Sequence, residues 1–177
     1  MPFTIRDFQP SDFESLWRID QQCFPAGISY SQAELKAYMR RRGSFTLLAV
    51  GDKMMKPEQL PLSEKRNASA ILAPAERDGS VAGFIVAEAG RDATGHVITI
   101  DVVSSVRRSG VGSLLLRAAE RHLRASRCRS VQLETAVDNV SALAFYKRHG
   151  YSVINTFPRY YSNGVDALVL EKGLTGK

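Results

Sequence analysis

The stretch from His96 to Leu115 constrains the fold more than any other part of the chain. His96-Val97-Ile98-Thr99-Ile100-Asp101-Val102-Val103 alternates and ends on an apolar pair, which predicts a central strand that bulges at its end. Soon after comes Arg107-Arg108-Ser109-Gly110-Val111-Gly112-Ser113, opening a helix with Val111, Leu114, Leu115, Ala118, Ala119 and His122 at helical spacing. A strand that runs through a glycine turn into such a helix needs a sheet with helices packed on it. Two glycines also let a ligand approach the backbone without Cβ obstruction, and the first-turn N–H groups have no intrahelical acceptor. Together with the helix dipole they make an anion site suited to a pyrophosphate. From this segment alone, a helix start that binds nothing fits as well. A Rossmann turn does not fit, because Leu115 stands where the third glycine belongs, and no Gly-Lys-Ser/Thr follows to make a P-loop.

The rest of the chain supplies the partners. Ile5 to Phe8 predicts a first strand, and Ser11-x-x-Glu14 has capping-box spacing for a helix with Phe13, Leu16 and Trp17 on its buried side. Phe24-Pro25-Ala26-Gly27 breaks that helix, and Ser31-x-x-Glu34 caps a second. Phe45–Val50, Val81–Ala87, Ser130–Val137, Tyr151–Ile154 and Ala167–Leu170 predict strands, the last two flanking the hairpin dipeptide Asn163-Gly164. Asn139 caps a helix that ends at His149, with Gly150 beyond it. Residues 51–80 lose all periodicity and read as a long inserted loop, with extra strand at Ser69–Ala73 and a turn at Asp78-Gly79. The expected fold class is α/β (α+β), a mixed, mostly antiparallel sheet of about seven strands flanked by helices on both faces. The expected organisation is one domain over 1–177.

Composition excludes other classes. At 177 residues and 44% hydrophobic, the chain can bury a core without disulfides and is not intrinsically disordered. Cys23 and Cys128 are too few for a disulfide framework, and with His96, His122 and His149 scattered, no metal is expected. Met1 to Asp7 holds no apolar signal core and no apolar run is long enough for a span, so a cytoplasmic protein without a membrane partner is expected.

Two motifs in order resemble the GNAT N-acetyltransferase superfamily. Arg107-x-x-Gly110-x-Gly112 after a bulged strand is similar to its acetyl-CoA motif. Leu133-Glu134-Thr135 … Asn139-x-x-Ala142-x-x-Phe145-Tyr146-Lys147-Arg148-His149-Gly150-Tyr151 is similar to its L-E-V … N-x-x-A-x-x-x-Y-x-K-x-G-F pattern. Cys23-Phe24-Pro25 and Tyr160-Tyr161-Ser162-Asn163-Gly164 extend the likeness toward the branch that acetylates protein N-termini, including ribosomal-protein-alanine acetyltransferases. The resemblance implies the GNAT fold and acetyl-CoA as co-substrate. It implies that the amides of Arg107, Arg108, Ser109, Gly110, Val111, Gly112 and Ser113 cradle the pyrophosphate, and that Val102 and Val103 offer backbone groups to the pantetheine and thioester. Asn139 would bond the pantetheine and Tyr146 would protonate the departing thiolate. Glu134 falls where related enzymes place a general base, and Phe24, Glu134, Tyr160 and Tyr161 would meet the acceptor. The chain departs from the ribosomal-protein-alanine branch at Ile28 and Tyr30, where that branch has a tryptophan, and in the 51–80 insertion. A small amine, such as a polyamine or amino sugar, and a non-catalytic acyl-CoA-binding regulator are the alternatives.

The residues themselves support part of this. Asn139 and Tyr146 share a helix face about 10 Å long, though on spacing alone they read first as a cap and a packed aromatic. Glu134 occupies the polar side of its strand, and a plain exposed glutamate fits that pattern too. An α-amine of pKa near ~8 is about one-tenth neutral at pH 7, against a few in ten thousand for lysine near ~10.4, so an α-amine needs only a modest base. The amine can attack the thioester directly in a ternary complex. Cys23 has no evident His or Asp partner and reads as an inert thiol. The net charge of +6 lies wholly in residues 107–129, where seven arginines face one acid, Glu120, leaving 17 basic and 17 acidic residues elsewhere. A nucleotide-tailed cofactor accounts for that excess, with nucleic acid a distant second. A monomer and a dimer are equally compatible with the sequence.

Overall fold

The alternating segments pair into one sheet, and the computed structural model describes residues 3–25, 27–51 and 80–175 of it and its surroundings. Among these residues the strands are β1 (Phe3–Asp7), β2 (Ser44–Gly51), β3 (Val81–Ala89), β4 (Thr94–Val102), β5 (Ser130–Ala136), β6 (Ser152–Phe157) and β7 (Ala167–Gly173). Their order across the sheet is β1-β2-β3-β4-β5-β7-β6. Every neighbouring pair is antiparallel except β4 with β5. The expected loop, strand and turn within 52–79 lie outside the described residues. The ends of that segment meet, since the Gly51 N–H donates to the Ser80 carbonyl at 3.1 Å.

Helices cover both faces. On one, α1 (Phe13–Cys23) and α2 (Gln32–Met39) bring Leu16, Ile19 and Leu35 against Leu48, Phe84 and Val86. On the other, α3 (Val111–Ala125) and α4 (Val140–Arg148) bring Leu115, Leu116, Leu123 and Tyr146 against Ile85, Val97, Val131 and Leu133. Each fully buried Leu or Phe contributes about 1.5–3 kcal/mol of transfer free energy. The Ser31–Glu34 capping box forms as expected at α2, and Asn139 Oδ1 accepts the Ala142 N–H at α4.

Three local expectations are corrected. The first capping box is Gln9–Asp12, around a short 3-10 turn, because Asp12 is drawn back by a two-pronged bond to Arg6 at 2.7 Å; α1 then begins at Phe13. On α3, Leu116, Glu120 and Leu123 are buried while His122 is exposed and stacks on Phe45. The rotation follows from Glu120, whose carboxylate accepts from Tyr151 Oη at 3.2 Å and Lys172 Nζ at 2.8 Å and so faces the sheet. The third is the connection from β6 to β7. It is shorter than expected, since β6 runs on to Phe157 and leaves residues 158–166, in which Gly164 (φ +83°) closes a turn onto the Tyr161 carbonyl.

Candidate active site

The site is made by an interruption in the sheet. β4 and β5 pair at only three positions, Thr94 with Ser130, Gly95 with Val131 and His96 with Gln132. Beyond them β4 runs on to Val102 along β3, and β5 to Ala136 along β7, with no pairing between the two. The facing edges therefore leave a gap lined by backbone N–H and C=O groups.

The glycine turn lies at the far end of β4. Gly110 has φ +93°, a left-handed conformation that glycine adopts without strain, and a Cβ there would meet nothing within 4 Å. The helix begins with the Leu114 N–H bonded to the Gly110 carbonyl at 2.9 Å, so the N–H groups of Val111, Gly112 and Ser113 precede the first intrahelical bond. Not every expected donor is available. The Arg107 N–H is spent on Ser104 and the Ser109 N–H on Val106, and the Ser109 hydroxyl also turns back to Val106 at 2.6 Å. The Arg107 guanidinium reaches the Val102 carbonyl at 3.1 Å and Cys23 Sγ at 3.5 Å rather than the helix start. Arg108 is exposed, with φ +65°. His149, the C-cap of α4, meets the Ser113 hydroxyl at 2.9 Å, and burial lowers its imidazole pKa.

At Val102 and Val103 the backbone is divided. The Val103 N–H is taken by the Ala82 carbonyl and its C=O accepts from the Val106 N–H, so Val103 has no free N–H to offer. Alternation along the strand points the Val102 N–H the other way, into the gap. The bulge lies earlier than expected: Val86 pairs with Thr99 and Ala87 with Val97, leaving Ile98 as the extra residue in mid-strand. One extra residue reverses the facing of everything after it. Asp101 consequently shares the face of its partner Phe84, under α1.

Asp101 is 1% exposed. Thr99 Oγ1 donates to its Oδ2 at 2.9 Å, and Oδ1 has no partner among the described residues. Burial, then the charge of buried Asp20, pushes its carboxyl up to about 8. Burial and then the Asp101 charge push the Cys23 thiol up to about 11, which leaves it inert as a nucleophile, as the sequence led us to expect. Tyr146 is buried on α4. Its pKa is raised first by burial and then by Asp101 and Tyr161, so the phenol stays protonated.

Glu134 stands on that opposite face, two residues beyond the last β4–β5 pair. Its Oε2 lies 2.6 Å from His96 Nε2. Tyr160 and Tyr161 stand close enough to Glu134 for its charge to help raise both phenols, Tyr161 to about 12, although burial contributes most. Tyr160 packs on Phe157 and on Tyr161. Across from them Tyr30 packs on Tyr38 and sends its hydroxyl to the Ile98 carbonyl at 3.4 Å. Ser162 Oγ donates to the Gly27 carbonyl at 2.8 Å, tying the β6–β7 loop to the α1–α2 loop. Phe24 is half-buried at the C-cap of α1.

The structure thus gathers the glycine turn, Asn139 and Tyr146 on the α3–α4 face, and Glu134, Tyr160 and Tyr161 on the other, with the gap between. Asn139 spends Oδ1 on the Ala142 N–H and the Ser141 hydroxyl, leaving its amide NH2 to donate elsewhere. Sequence reading missed His96, Asp101 and Tyr38. The first could have been found by aligning the two parallel strands, which places His96 one step from Glu134; the facing of Asp101 depends on a mid-strand bulge that alternation does not show. Among the described residues, no group of three or more His, Cys, Asp or Glu side chains could hold a metal ion, and no helix is long and apolar enough to cross a membrane.

Comparison with known proteins agrees with this architecture. An N-alpha-acetyltransferase of Sulfurisphaera tokodaii is 28% identical over 130 residues, 64% of this chain and 78% of that protein. An uncharacterized N-acetyltransferase of Methanocaldococcus jannaschii is 36% identical over 99 residues, 55% of this chain and 63% of that protein, so the chain spans under two thirds of that relative. Ard1 from Thermoplasma volcanium superimposes with a TM-score of 0.77 at 26% identity, covering 99% of this chain and all of that one. At the level of fold alone, the ribosomal-protein-S18-alanine N-acetyltransferase from Escherichia coli gives 0.75 at 16% identity, over 99% of this chain and 96% of that one. Arabidopsis thaliana NAA60 in complex with acetyl-CoA gives 0.73 at 17%, over 99% of this chain and all of that one. The acetyltransferase (GNAT) family model matches residues 13–151, both motifs and the parted strands included, and the chain belongs to that family.

Proposed function

We propose that this chain, working as one domain, transfers the acetyl group of acetyl-CoA to a primary amine, and that the amine is the N-terminal α-amine of a protein or peptide. The observation that carries the reading is the gap between β4 and β5, with donors for an anion at one mouth and a carboxylate among tyrosines at the other. Relatives named N-alpha-acetyltransferase support the choice of acceptor. A ribosomal protein is one such acceptor, and the two free thiols suit a reducing cytoplasm.

The residues present fit acetyl-CoA. The N–H groups of Gly110, Val111, Gly112 and Ser113 would hold its pyrophosphate, the Val102 N–H and the Asn139 amide its pantetheine arm, and the thioester supplies an activated acyl carbon. Glu134 takes a proton from the ammonium, the tyrosines hold the acceptor's backbone, and Tyr146 gives its proton to the departing sulfur. With both substrates bound, direct attack needs no covalent enzyme intermediate.

The test is release of free thiol from acetyl-CoA with peptides beginning in Ala, Ser, Thr or Met. Turnover of these, and not of polyamines or amino sugars, is the expected result. Binding of acetyl-CoA without thiol release for any amine would instead mark a regulator. Acetyl-CoA at 100 times its Kd is expected to stabilise the fold by about 2.7 kcal/mol, read as a rise in Tm. Gly110→Val is expected to weaken acetyl-CoA binding more than about tenfold, since its side chain enters the open space over the turn. The left-handed backbone alone would cost the fold only about 1–2 kcal/mol. Calorimetric titration checks the affinity and a melting curve the stability.

A further inference from the structure

We propose that His149 and Ser113 form a donor relay at the first turn of α3, in which the imidazole gives its Nε2–H to Ser113 Oγ and so turns the single hydroxyl proton toward the pyrophosphate of acetyl-CoA. The inference rests on the cofactor cradle proposed above and deepens it.

The packing of α4 on α3 sets the contact. Phe145 and His149, one turn apart on α4, lie against the first turn of α3. A Cβ on Gly112 would come within 3.4 Å of Phe145 Cζ, so glycine at that position lets α4 close on the turn. Phe145 meets the His149 ring edge-on, with 4.6 Å between centroids, and so restrains it. Nε2 then stands 2.9 Å from Ser113 Oγ. Both side chains are half-buried, and among the described residues neither makes another hydrogen bond.

The inventory of protons decides the direction of that bond. A serine hydroxyl has one proton, and a neutral imidazole has one donor nitrogen and one acceptor nitrogen. If Ser113 donates to Nε2, its proton is spent and Oγ shows only lone pairs to the outside. If Nε2–H donates to Oγ, the hydroxyl proton is free to turn outward. Ser113 also carries one of the amides without an intrahelical acceptor, at the end of α3 where the dipole is positive. An anion seated on those amides repels the lone pairs of the first arrangement and accepts a hydrogen bond in the second. It therefore selects the Nε2–H form.

The same anion favours a charged imidazole. In the free protein burial, then the charge of Arg117, holds the His149 pKa below its ordinary value. Lys172 of β7 and Arg148 of α4 act in the same direction, and Glu120 of α3 opposes them. The Glu120 carboxylate is itself engaged by Lys172 and Tyr151. A pyrophosphate beside Ser113 adds negative charge and raises the imidazole pKa. Between the free and the bound values binding takes up a proton, so affinity falls as pH rises. Nε2–H is a donor in the neutral form and in the imidazolium, and the relay survives protonation.

The experiment is calorimetric titration of the full chain with dephospho-CoA, which keeps the pyrophosphate and has no phosphate that titrates near neutrality. It runs from about pH 5.5 to about pH 7.5, either side of the ordinary imidazole value, in paired buffers of different ionisation enthalpy that report protons taken up. Wild type is expected to bind about three- to tenfold more weakly at the upper pH and to take up protons as it binds. His149→Gln, whose amide N–H can stand where Nε2–H stood but does not titrate, should lose the pH dependence and the proton uptake. Its affinity at the upper pH should stay within about twofold of wild type, whereas His149→Leu should bind about three- to tenfold more weakly there. The losses in Ser113→Ala and His149→Leu should combine to less than their sum, because the two groups act as one unit. Equal proton uptake in wild type and His149→Gln would overturn the proposal, as would additive losses in the double variant. If the wild type binds neither dephospho-CoA nor acetyl-CoA, the cradle itself fails; binding without linked proton uptake sinks the relay alone.

Discussion

Tyr146→Phe is expected to lower kcat about 100-fold or more while leaving acetyl-CoA affinity within about twofold, as expected for loss of a general acid. The phenol is buried and held protonated by burial and by the neighbouring Asp101 charge, so it carries a proton across the working pH range. Moving that proton to a thiolate like that of cysteine costs about 2 kcal/mol in water, from the ~10 and ~8.5 of the free groups. The departing sulfur, once inside the same gap, loses hydration as well, which makes it a better proton acceptor. The hydroxyl makes no hydrogen bond among the described residues, so its removal should not unfold the chain. Rapid-quench measurement of the first turnover separates chemistry from product release, and unchanged first-turnover rates would remove Tyr146 from the acid role.

The second large effect concerns stability. Asp101 rises from ~3.9 in an unfolded chain to about 8 in the fold. Between those values the folded state binds the extra proton. Its contribution is therefore fully present below about pH 4 and is lost as pH rises through about 8. Above that, ionised Asp101 would oppose folding by something on the order of 5 kcal/mol. Wild-type Tm is thus expected to fall between pH 5 and 9. Asp101→Asn, which keeps an oxygen for the Thr99 hydroxyl, should flatten that fall and raise Tm at pH 9 with little change at pH 5. Buried Asp20 is raised in the same direction, by burial first, so a residual slope in Asp101→Asn should disappear on adding Asp20→Asn. Melting curves across that pH range decide it; equal slopes in wild type and Asp101→Asn would show that Asp101 is not the titrating group.

Local signals announced much of this architecture. The glycine turn, the Asn139 cap and the succession of strands and helices along the chain followed from alternation, capping chemistry and turn residues, all of which act within a few positions along the chain. What escaped notice depends on pairing across the sheet. His96 looked isolated because its partner is 38 residues away, on a strand that had to be laid parallel before the two could meet. Alternation alone assigned Asp101 no face, because the Ile98 bulge shifts parity without changing the local pattern of residue types. Arg107 looked like a phosphate ligand from its place beside the turn, yet the tertiary fold offered its guanidinium the Val102 carbonyl and Cys23 first.

The short β4–β5 ladder also has a mechanical meaning. It joins two leaves, β1 to β4 on one side and β5 to β7 on the other, by three residue pairs of backbone. Side-chain rivets among the described residues add to it, including His96 of β4 to Glu134 of β5, Glu120 of α3 to Lys172 and Tyr151, and Arg124 to the Leu174 carbonyl at 2.9 Å. Leaves joined so sparingly along one seam hinge more readily than strands laced end to end. An extended molecule laid in the seam, bonding both edges, would act as a splint. Loading the protein should therefore slow amide hydrogen exchange along Ile98–Val102 and Leu133–Ala136 more than anywhere else in the sheet.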